Sequence, residues 1–252
     1  MEHRERAILT SSIERHGLAA WPGFEQHRMG GWTLTFGGGH TKRANSATLL
    51  ESDCGTPTDS IDAIAVSYRE QGLPPIFRIN PLALDSGVDD RLNALNYLGF
   101  DETCVQVLTV RQLRPEASEF VTIVTGSSEF WRRGLAIAQG LSAAQAAAAN
   151  RILDRIAGRT IYALVSDEGT PAAWGMGVVA DGMIGLFNIV TLPEHRGRGL
   201  GGKLVRSLLA AGERAGAETA YLQVGAENRP AQSLYAGLGF RDLYRYHYRR
   251  PA

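Results

Sequence analysis

Residues 189–205 read IVTLPEHRGRGLGGKLV and combine an apolar strand, a glycine-rich turn and the start of a helix. Within them Arg196, Gly199 and Gly201 follow the order Arg-x-x-Gly-x-Gly, flanked by two further glycines. Bare N–H groups at a helix N-terminus point outward at the positive end of the helix dipole, so an anion can replace the missing acceptors. Glycines let the anion come close. The stretch therefore predicts a phosphate-binding turn.

Composition sets the limits of the interpretation. The 252 residues suffice for one large domain or two ordinary ones, and 26 basic residues balance 26 acidic ones. No overall charge favours nucleic acid or an anionic membrane, so an anion site has to be local. The two cysteines, Cys54 and Cys104, indicate neither a disulfide framework nor a metal cluster. With no signal peptide or membrane-spanning run, we expect a soluble, cytoplasmic, metal-free protein.

Apolar periodicity and turn residues predict an alternation of helices and strands, and no single pattern is assigned to residues 130–140. The predicted helices cover 5–18, 61–72, 89–98, 143–157, 200–215 and 228–236. The predicted strands cover 32–36, 43–50, 76–79, 104–110, 119–124, 161–165, 173–180, 183–191, 221–224 and 240–248. The fold class is therefore α/β, in its α+β form with a mixed sheet.

A weak internal repeat relates the two halves. Leu98-Gly99-Phe100 and Leu238-Gly239-Phe240 stand 140 residues apart, and each ends a helix–strand–helix pattern that a further strand follows. The shared order of elements favours duplication over chance. Because 114–118 has the composition of a linker, we predict one domain over 1–113 and a second over 119–252.

The first half departs from the second at the positions that carry chemistry. Asp53-Cys54-Gly55-Thr56-Pro57 stands where the second half has its glycine turn, and Leu95 stands where it has Tyr235. Gly37-Gly38-Gly39 is followed by a strand pattern rather than a helix, so a hairpin turn is favoured over a second phosphate loop. The first copy is predicted to have lost the residues that bind the anion and carry out the reaction.

A second motif lies downstream of the glycine turn. It reads Asn228-x-x-Ala231-x-x-x-Tyr235-x-x-x-Gly239-Phe240. Together the two motifs make the second half resemble the GNAT family of GCN5-related, acetyl-CoA-dependent N-acetyltransferases. The resemblance covers roughly 119–248 and is densest over 188–240. The whole chain is similar to the subgroup built from two tandem GNAT-like acyl-CoA N-acyltransferase domains, in which only the later copy keeps the cofactor motif.

The resemblance implies roles for individual residues toward acetyl-CoA. Asn228 would contact the cofactor from the helix start, and Tyr235 would lie near the thioester sulfur. A phenol is protonated at neutral pH, so Tyr235 can serve as general acid to the departing thiolate. The backbone of one strand would pair with the pantetheine arm, namely Ile189, Val190 and Thr191. The amides of the turn would hold the pyrophosphate, namely Arg196, Gly197, Arg198, Gly199, Leu200, Gly201 and Gly202.

The general base is not assigned from the sequence. The family often uses a glutamate on its fourth strand, where this chain has Gly185 and no carboxylate. Asn188 is predicted to orient the acceptor, but an amide cannot take a proton. Glu194, His195 and Glu227 are expected to be exposed turn residues.

The acceptor site also remains open. On the first-half hairpin, Trp32 and Asn45 are candidates to line an acceptor pocket between the copies. Tyr244, Tyr246 and Tyr248 alternate with basic residues, which suits nucleic-acid stacking, but a strand with one buried aromatic face gives the same pattern and is favoured.

The sequence thus predicts an N-acetyltransferase that moves an acetyl group from acetyl-CoA to a primary amine. A non-catalytic acyl-CoA sensor is the alternative, because no base is found. A nucleotide-binding protein is less favoured, since there is no Gly-Lys-Ser/Thr sequence. The expected partner is a small-molecule or peptide amine, without nucleic acid or membrane, and the chain is expected to be a monomer or homodimer.

Overall fold

The computed structural model divides the chain into two compact units. Unit 1 comprises Met1–Val105, Gly225–Glu227 and Leu243–Ala252, and unit 2 comprises Gln106–Val224 and Asn228–Asp242. The structure describes residues 3–113, 118–124 and 126–252, so the linker predicted at 114–118 lies, apart from Ser118, outside the described residues.

Helices and strands alternate along the chain, as the sequence patterns predict. The helices are α1 (His3–Ala20), α2 (Ile61–Glu70), α3 (Pro81–Asp85), α4 (Val88–Ala94), α5 (Val110–Leu113), α6 (Glu129–Ala138), α7 (Ala143–Leu153), α8 (Leu200–Arg214) and α9 (Arg229–Gly237). The strands are β1 (Glu25–Met29), β2 (Trp32–Phe36), β3 (Ala47–Leu49), β4 (Phe77–Ile79), β5 (Tyr97–Thr109), β6 (Val121–Val124), β7 (Arg159–Asp167), β8 (Thr170–Ala180), β9 (Met183–Thr191), β10 (Thr219–Gly225) and β11 (Arg241–Pro251).

Unit 1 contains strands in the order β1-β2-β3-β4-β11. The pairs β1/β2, β2/β3 and β4/β11 are antiparallel, whereas β3/β4 is parallel. Trp32, Tyr68 and Phe77 are the largest fully buried side chains of its apolar core. The hairpin predicted from Gly37-Gly38-Gly39 is confirmed, because β2 pairs with β3.

Unit 2 contains strands in the order β10-β9-β8-β7-β6. Only β9/β10 is parallel, and the three pairs formed by β6 to β9 are antiparallel. Leu204, Val205, Leu208 and Leu209 of α8 are buried, as their helical spacing predicts. Each unit thus carries both pairing types, which confirms the mixed sheet.

Three elements differ from the sequence prediction. The helix predicted to reach Leu98 ends at Ala94, because Asn96 takes a left-handed φ of +59° and β5 begins at Tyr97. Residues 130–140 lie mostly in α6, in which Trp131 and Leu135, four residues apart, are buried. The strand β1 was not predicted, because its sequence EQHRM is polar and mostly exposed.

Two sequence features have structural explanations. Tyr244, Tyr246 and Tyr248 are buried on one face of β11, as the favoured interpretation of their alternation predicts. Ser142 caps α7 by accepting from Gln145 N, and the Gln145 side chain accepts from Ser142 N in return. None of the described helices is both long enough and apolar enough to cross a membrane.

Candidate active site

The parallel strands β9 and β10 pair over only part of their length. Their register joins Met183–Leu186 to Thr219–Leu222. Beyond these residues β9 continues to Thr191, where it still pairs with Ala173 of β8, and β10 continues to Gly225. The two strands therefore part after Leu186 and Leu222. Ligands of open α/β sheets bind at the carboxyl ends of strands, and the opening lies at such an end.

A β-bulge in β9 lies at the start of this opening. Asn188 has a left-handed φ of +55°, and the register with β8 shifts between Trp174 and Met176. Asparagine tolerates this conformation better than most residues. Opposite the bulge, a Cβ on Gly175 would approach Ile189 Cδ1 to 2.6 Å. Glycine at 175 therefore leaves room for the Ile189 side chain to pack toward α8, while Asn188 adopts the left-handed conformation of the bulge.

The carboxamide of Asn188 is held by a neighbouring helix. Gln139, the C-cap of α6, donates from Nε2 to Asn188 Oδ1 at 3.3 Å. Asn188 Nδ2 in turn lies 3.5 Å from the thioether of Met176. Thioether sulfur is a weak acceptor, so Asn188 keeps donor capacity at the opening. Gln139 was missed in the sequence because it lies 49 residues away from its partner.

Pairing also determines where the backbone of Thr191 points. Leu192 N donates to Ala172 O at 2.9 Å, and Thr191 stands opposite Ala173. Hydrogen-bonded and non-hydrogen-bonded pairs alternate along an antiparallel ladder, so the N–H and C=O of Thr191 point away from β8. On that side Arg196 Nε donates to Thr191 O at 3.2 Å.

The glycine turn leads into α8 without a side-chain cap. Gly197 and Gly199 have φ of +76° and +75°, and Gly199 is the N-cap residue with no side-chain hydrogen bond. A Cβ at either position would meet no atom within 4 Å, so the backbone conformation, not crowding, calls for glycine. Gly201 instead allows close packing, because its Cβ would lie 3.2 Å from Leu234 of α9.

An ion-pair cluster supports the turn from β7. His195 Nδ1 lies 2.8 Å from Asp167 Oδ2, which also accepts from Arg198 Nη1. The His195 hydrogen bond, and then the charge of Arg198, lower the pKa of the Asp167 carboxyl. The prediction of an exposed His195 is wrong, because contact with Asp167 leaves only 17% of its side chain exposed. No local pattern identifies Asp167, which lies 28 residues earlier in the sequence.

Helix α9 carries Asn228 and Tyr235. Asn228 Oδ1 accepts from Ala231 N at 3.2 Å and so caps the helix. Tyr235 is 7% exposed, packs edge-to-face on Phe240 with ring centroids 5.9 Å apart, and has a pKa raised to about 12 by burial. Within the described parts of the chain its hydroxyl has no hydrogen-bond partner. The phenol is therefore a proton donor at neutral pH.

Gly185 lacks a side chain for a steric reason. Tyr221 of β10 stands opposite it in the parallel register. A Cβ at 185 would lie 2.6 Å from Tyr221 Oη and 2.7 Å from Phe187 Cε2. The Tyr221 phenol thus fills the space that a side chain at 185 would need.

The two first-half candidates lie in unit 1 and have structural partners there. Trp32 is 1% exposed and donates from Nε1 to Pro57 O at 3.2 Å. Asn45 is also buried. Its Oδ1 accepts from the N–H groups of two glycines of the hairpin turn, and its Nδ2 donates to two carbonyls of the same loop. These bonds fill its hydrogen-bonding capacity, so neither residue is carried into the proposed acceptor site.

The opening between β9 and β10, the uncapped glycine turn and the buried Tyr235 all lie in unit 2, where the sequence resembles the GNAT family. The sequence profile described as "Probable histone acetyltransferase Rv0428c C-terminal" matches residues 10–249, and the chain belongs to this family. It is 31% identical over 245 residues to "Uncharacterized N-acetyltransferase YobR" of Bacillus subtilis (strain 168), covering 94% of this chain and 96% of that protein.

Solved structures agree on the fold. A GCN5-related N-acetyltransferase from Kribbella flavida has a TM-score of 0.71 at 17% identity, covering 96% of this chain and 95% of that one. A tandem GNAT protein from the clavulanic acid biosynthesis pathway has a TM-score of 0.62 at 17% identity, covering 94% and 86%. The family membership confirms the predicted N-acetyltransferase class, whose acetyl donor is acetyl-CoA. The role of Tyr235, the cofactor contacts and the acceptor stay predictions.

Proposed function

We propose that unit 2 binds acetyl-CoA in the opening between β9 and β10 and transfers its acetyl group to a primary amine. The observation that carries the proposal is the end of the β9/β10 register at Leu186 and Leu222, beside the glycine turn. An extended arm placed there can form hydrogen bonds with the edge of β9. Thr191, whose N–H and C=O point away from β8, would supply one such pair. By the same alternation the backbone groups of Val190, which stands opposite Trp174, point toward β8, so of the three predicted contacts Val190 is not used in this pairing.

The turn would hold the pyrophosphate. The first amides of α8, from Leu200 to Gly202, stand at a helix end that no side chain caps, where an anion is stabilised by N–H groups and the helix dipole. The left-handed glycines keep the approach open. Arg196 would add charge, whereas Arg198, tied to Asp167, would mainly shape the turn. Asn228 would contact the cofactor with the amide group that remains after capping α9.

The chemistry assigned to the chain is positioning and proton transfer. The thioester supplies an activated acetyl carbonyl. As the amine nitrogen attacks that carbon, a backbone N–H of the bulge next to Val190 would donate to the carbonyl oxygen. As the C–S bond breaks, Tyr235 would donate its proton to the leaving thiolate. The attacking nitrogen would lose one proton to solvent, and solvent would return one proton to the Tyr235 phenolate, so that the amide, the CoA thiol and the phenol are the products. A phenol whose pKa is about 12 remains protonated at neutral pH and suits this role.

We assign the cofactor to unit 2 alone and treat unit 1 as a degenerate copy. Asn80 caps α3 by accepting from Ala83 N, as Asn228 caps α9, and a proline follows each cap. After β3, however, the chain has carboxylates instead of a glycine turn, and Glu51 is paired with Arg28 at 2.9 Å. Pro57 opens the short helical turn that follows and has no N–H group, so this helix start offers a phosphate one donor fewer than α8 does. Unit 1 would therefore have a structural or acceptor-shaping role.

Calorimetric titration tests the proposed site. Acetyl-CoA should bind at least about tenfold more tightly than adenosine 3′,5′-bisphosphate, which lacks the pantetheine arm, because only the former can pair with the edge of β9. Equal affinity for the two ligands would overturn the assignment of the opening to the cofactor.

A further inference from the structure

We propose that the acceptor is a weakly basic primary amine, the α-amine of a peptide or an amino-acid amide, rather than a strongly basic alkylamine such as a lysine side chain. The inference rests on the proposed function, since it concerns the amine that attacks in the β9/β10 opening. It follows from the chemistry of the described side chains that the structure places at that opening, which are the amides of Asn188 and Gln139 and the phenols of Tyr221 and Tyr235.

The side chains at the bulge are neutral amides. Asn188 and Gln139 are joined by the 3.3 Å hydrogen bond from Gln139 Nε2 to Asn188 Oδ1. Gln139 is exposed, and within the described residues its Oε1 has no partner. That oxygen can accept from an amine N–H, and Asn188 Nδ2 can donate to a carbonyl next to the amine. An amine with a neighbouring carbonyl, as in an α-amino amide, matches this pair of groups.

No proton-accepting side chain can be added at Gly185 without moving its neighbours. Tyr221 Oη would lie 2.6 Å from a Cβ there, so the strand position that faces β10 is closed to a carboxylate. Tyr221 and Tyr235 are phenols, and the pKa of Tyr235 is raised to about 12 by burial, so it acts as a donor at neutral pH.

The charged groups nearest in the fold do not favour a cationic acceptor. Arg196 donates to Thr191 O at the opening, and a guanidinium has no atom that accepts a hydrogen bond from an ammonium group. Asp167 is held by His195 and Arg198 and belongs to β7, two strand spacings from β9, or about 10 Å. His195 lies in the turn after β9 and is engaged with Asp167 at 2.8 Å. No described acidic side chain or histidine forms a hydrogen bond with Asn188 or Gln139, so the amine would arrive already neutral.

The preference follows from the proton equilibrium of the acceptor. At pH 7.5 about a third of α-amines with a pKa near 7.8 are neutral, against about 0.1% of lysine side chains with a pKa near 10.4. If the two nucleophiles react equally well once neutral, kcat/KM for the α-amine should exceed that for lysine by roughly 300-fold.

The test is the pH profile of kcat/KM at saturating acetyl-CoA for three acceptors: an amino-acid amide, a hexapeptide with a free N-terminus, and an Nα-acetyl-lysine amide. We expect the inflection to follow the acceptor, near pH 8 for the first two and above pH 10 for the third. A shared inflection for all three would reveal a base on the enzyme and overturn the proposal. A lower KM for the hexapeptide would identify a peptide as the source of the α-amine, and a lower KM for the amide a small molecule.

Variants that add a carboxylate to the opening test the same inference from the side of the protein. Asn188→Asp adds a carboxylate while keeping the acceptor oxygen that Gln139 binds, and it should raise lysine turnover relative to the α-amine at least about tenfold. Should that variant misfold, Gln139→Glu provides the same carboxylate from α6. Glu194→Gln and Glu227→Gln are the controls, and the moving inflection should persist in both. The inference would be contradicted if the wild-type kcat/KM profile had the same inflection with every acceptor and if Glu194→Gln or Glu227→Gln abolished that inflection.

Failure of the inference is distinguishable from failure of the proposed function. If acetyl-CoA binds no better than the nucleotide without pantetheine, the site assignment fails. If acetyl-CoA binds and is turned over, but the inflection of the pH profile is the same for every acceptor, only the inferred acceptor class is wrong.

Discussion

Substituting alanine for Gly199 probes the glycine turn most directly. Gly199 has a φ of +75°, and a Cβ there would meet no atom within 4 Å. The cost to stability is therefore that of a left-handed L-residue, about 1 kcal/mol, or roughly 3 °C in Tm for a chain of this size. The added methyl would project into the open space before the α8 terminus, where the pyrophosphate is proposed to lie. We expect the acetyl-CoA Kd to rise at least about tenfold.

Gly182→Ala is a matched control. Gly182 has a φ of +72° and equally open surroundings, but it lies in the turn before β9, at the other end of that strand. Both variants should lose about 1 kcal/mol in urea unfolding. Only Gly199→Ala should weaken acetyl-CoA in calorimetry. Equal affinities in the two variants would refute the assignment of the turn to the pyrophosphate.

Other predictions concern residues whose partners the structure defines. Gly185→Ala should lose about 1–3 kcal/mol in urea unfolding, because the added Cβ would lie 2.6 Å from Tyr221 Oη and 2.7 Å from Tyr221 Cζ. The loss should be smaller in a Tyr221→Leu background, which removes the ring, and the same loss in both backgrounds would exclude this contact as the cause. Asn45→Ala should lose about 1–3 kcal/mol, because it leaves the buried Gly37 N–H without its acceptor, and a loss below about 0.5 kcal/mol would contradict that role. The hydrogen bond from Arg249 lowers the pKa of the Asp89 carboxyl in the folded protein. The ionised carboxylate therefore stabilises the fold at pH values above its unfolded pKa near 4. This stabilisation is lost as the pH falls through the lower, folded pKa. Asp89→Asn should accordingly lower Tm at pH 7, and the Tm difference from wild type should shrink as the pH falls below about 4. An equal Tm difference at pH 7 and pH 3 would be inconsistent with the ion pair.

Elements governed by local rules could be predicted from the sequence. The strand β9, the glycine turn and α8 follow one another within 183–214, and each is specified by its own residues: apolar side chains, glycines and a helical stripe of leucines. Ser142 predicts the start of α7 for the same reason, because an N-cap side chain interacts within the first turn of its own helix.

Features that depend on distant neighbours could not be predicted. The polar sequence of β1 becomes a strand only by pairing with β2. Gly134 of α6 is required by packing, because a Cβ there would lie 2.7 Å from the Trp174 ring. The bulge at Asn188, its bond to Gln139 and the Asp167 cluster likewise arise from register and from side chains 28 to 49 residues away. The sequence therefore indicated where the cofactor motif lies but not the groups that surround the acceptor.

Tyr235→Phe, followed by release of the CoA thiol at saturating acetyl-CoA and acceptor, tests the central claim most directly. The hydroxyl has no partner among the described residues, and its ring packing on Phe240 is retained in phenylalanine, so the fold and the acetyl-CoA Kd should change little. The account predicts a fall in kcat of at least about 100-fold, the usual contribution of a positioned general acid. A kcat within about twofold of wild type would contradict the assignment of Tyr235 as the proton donor to the leaving thiolate.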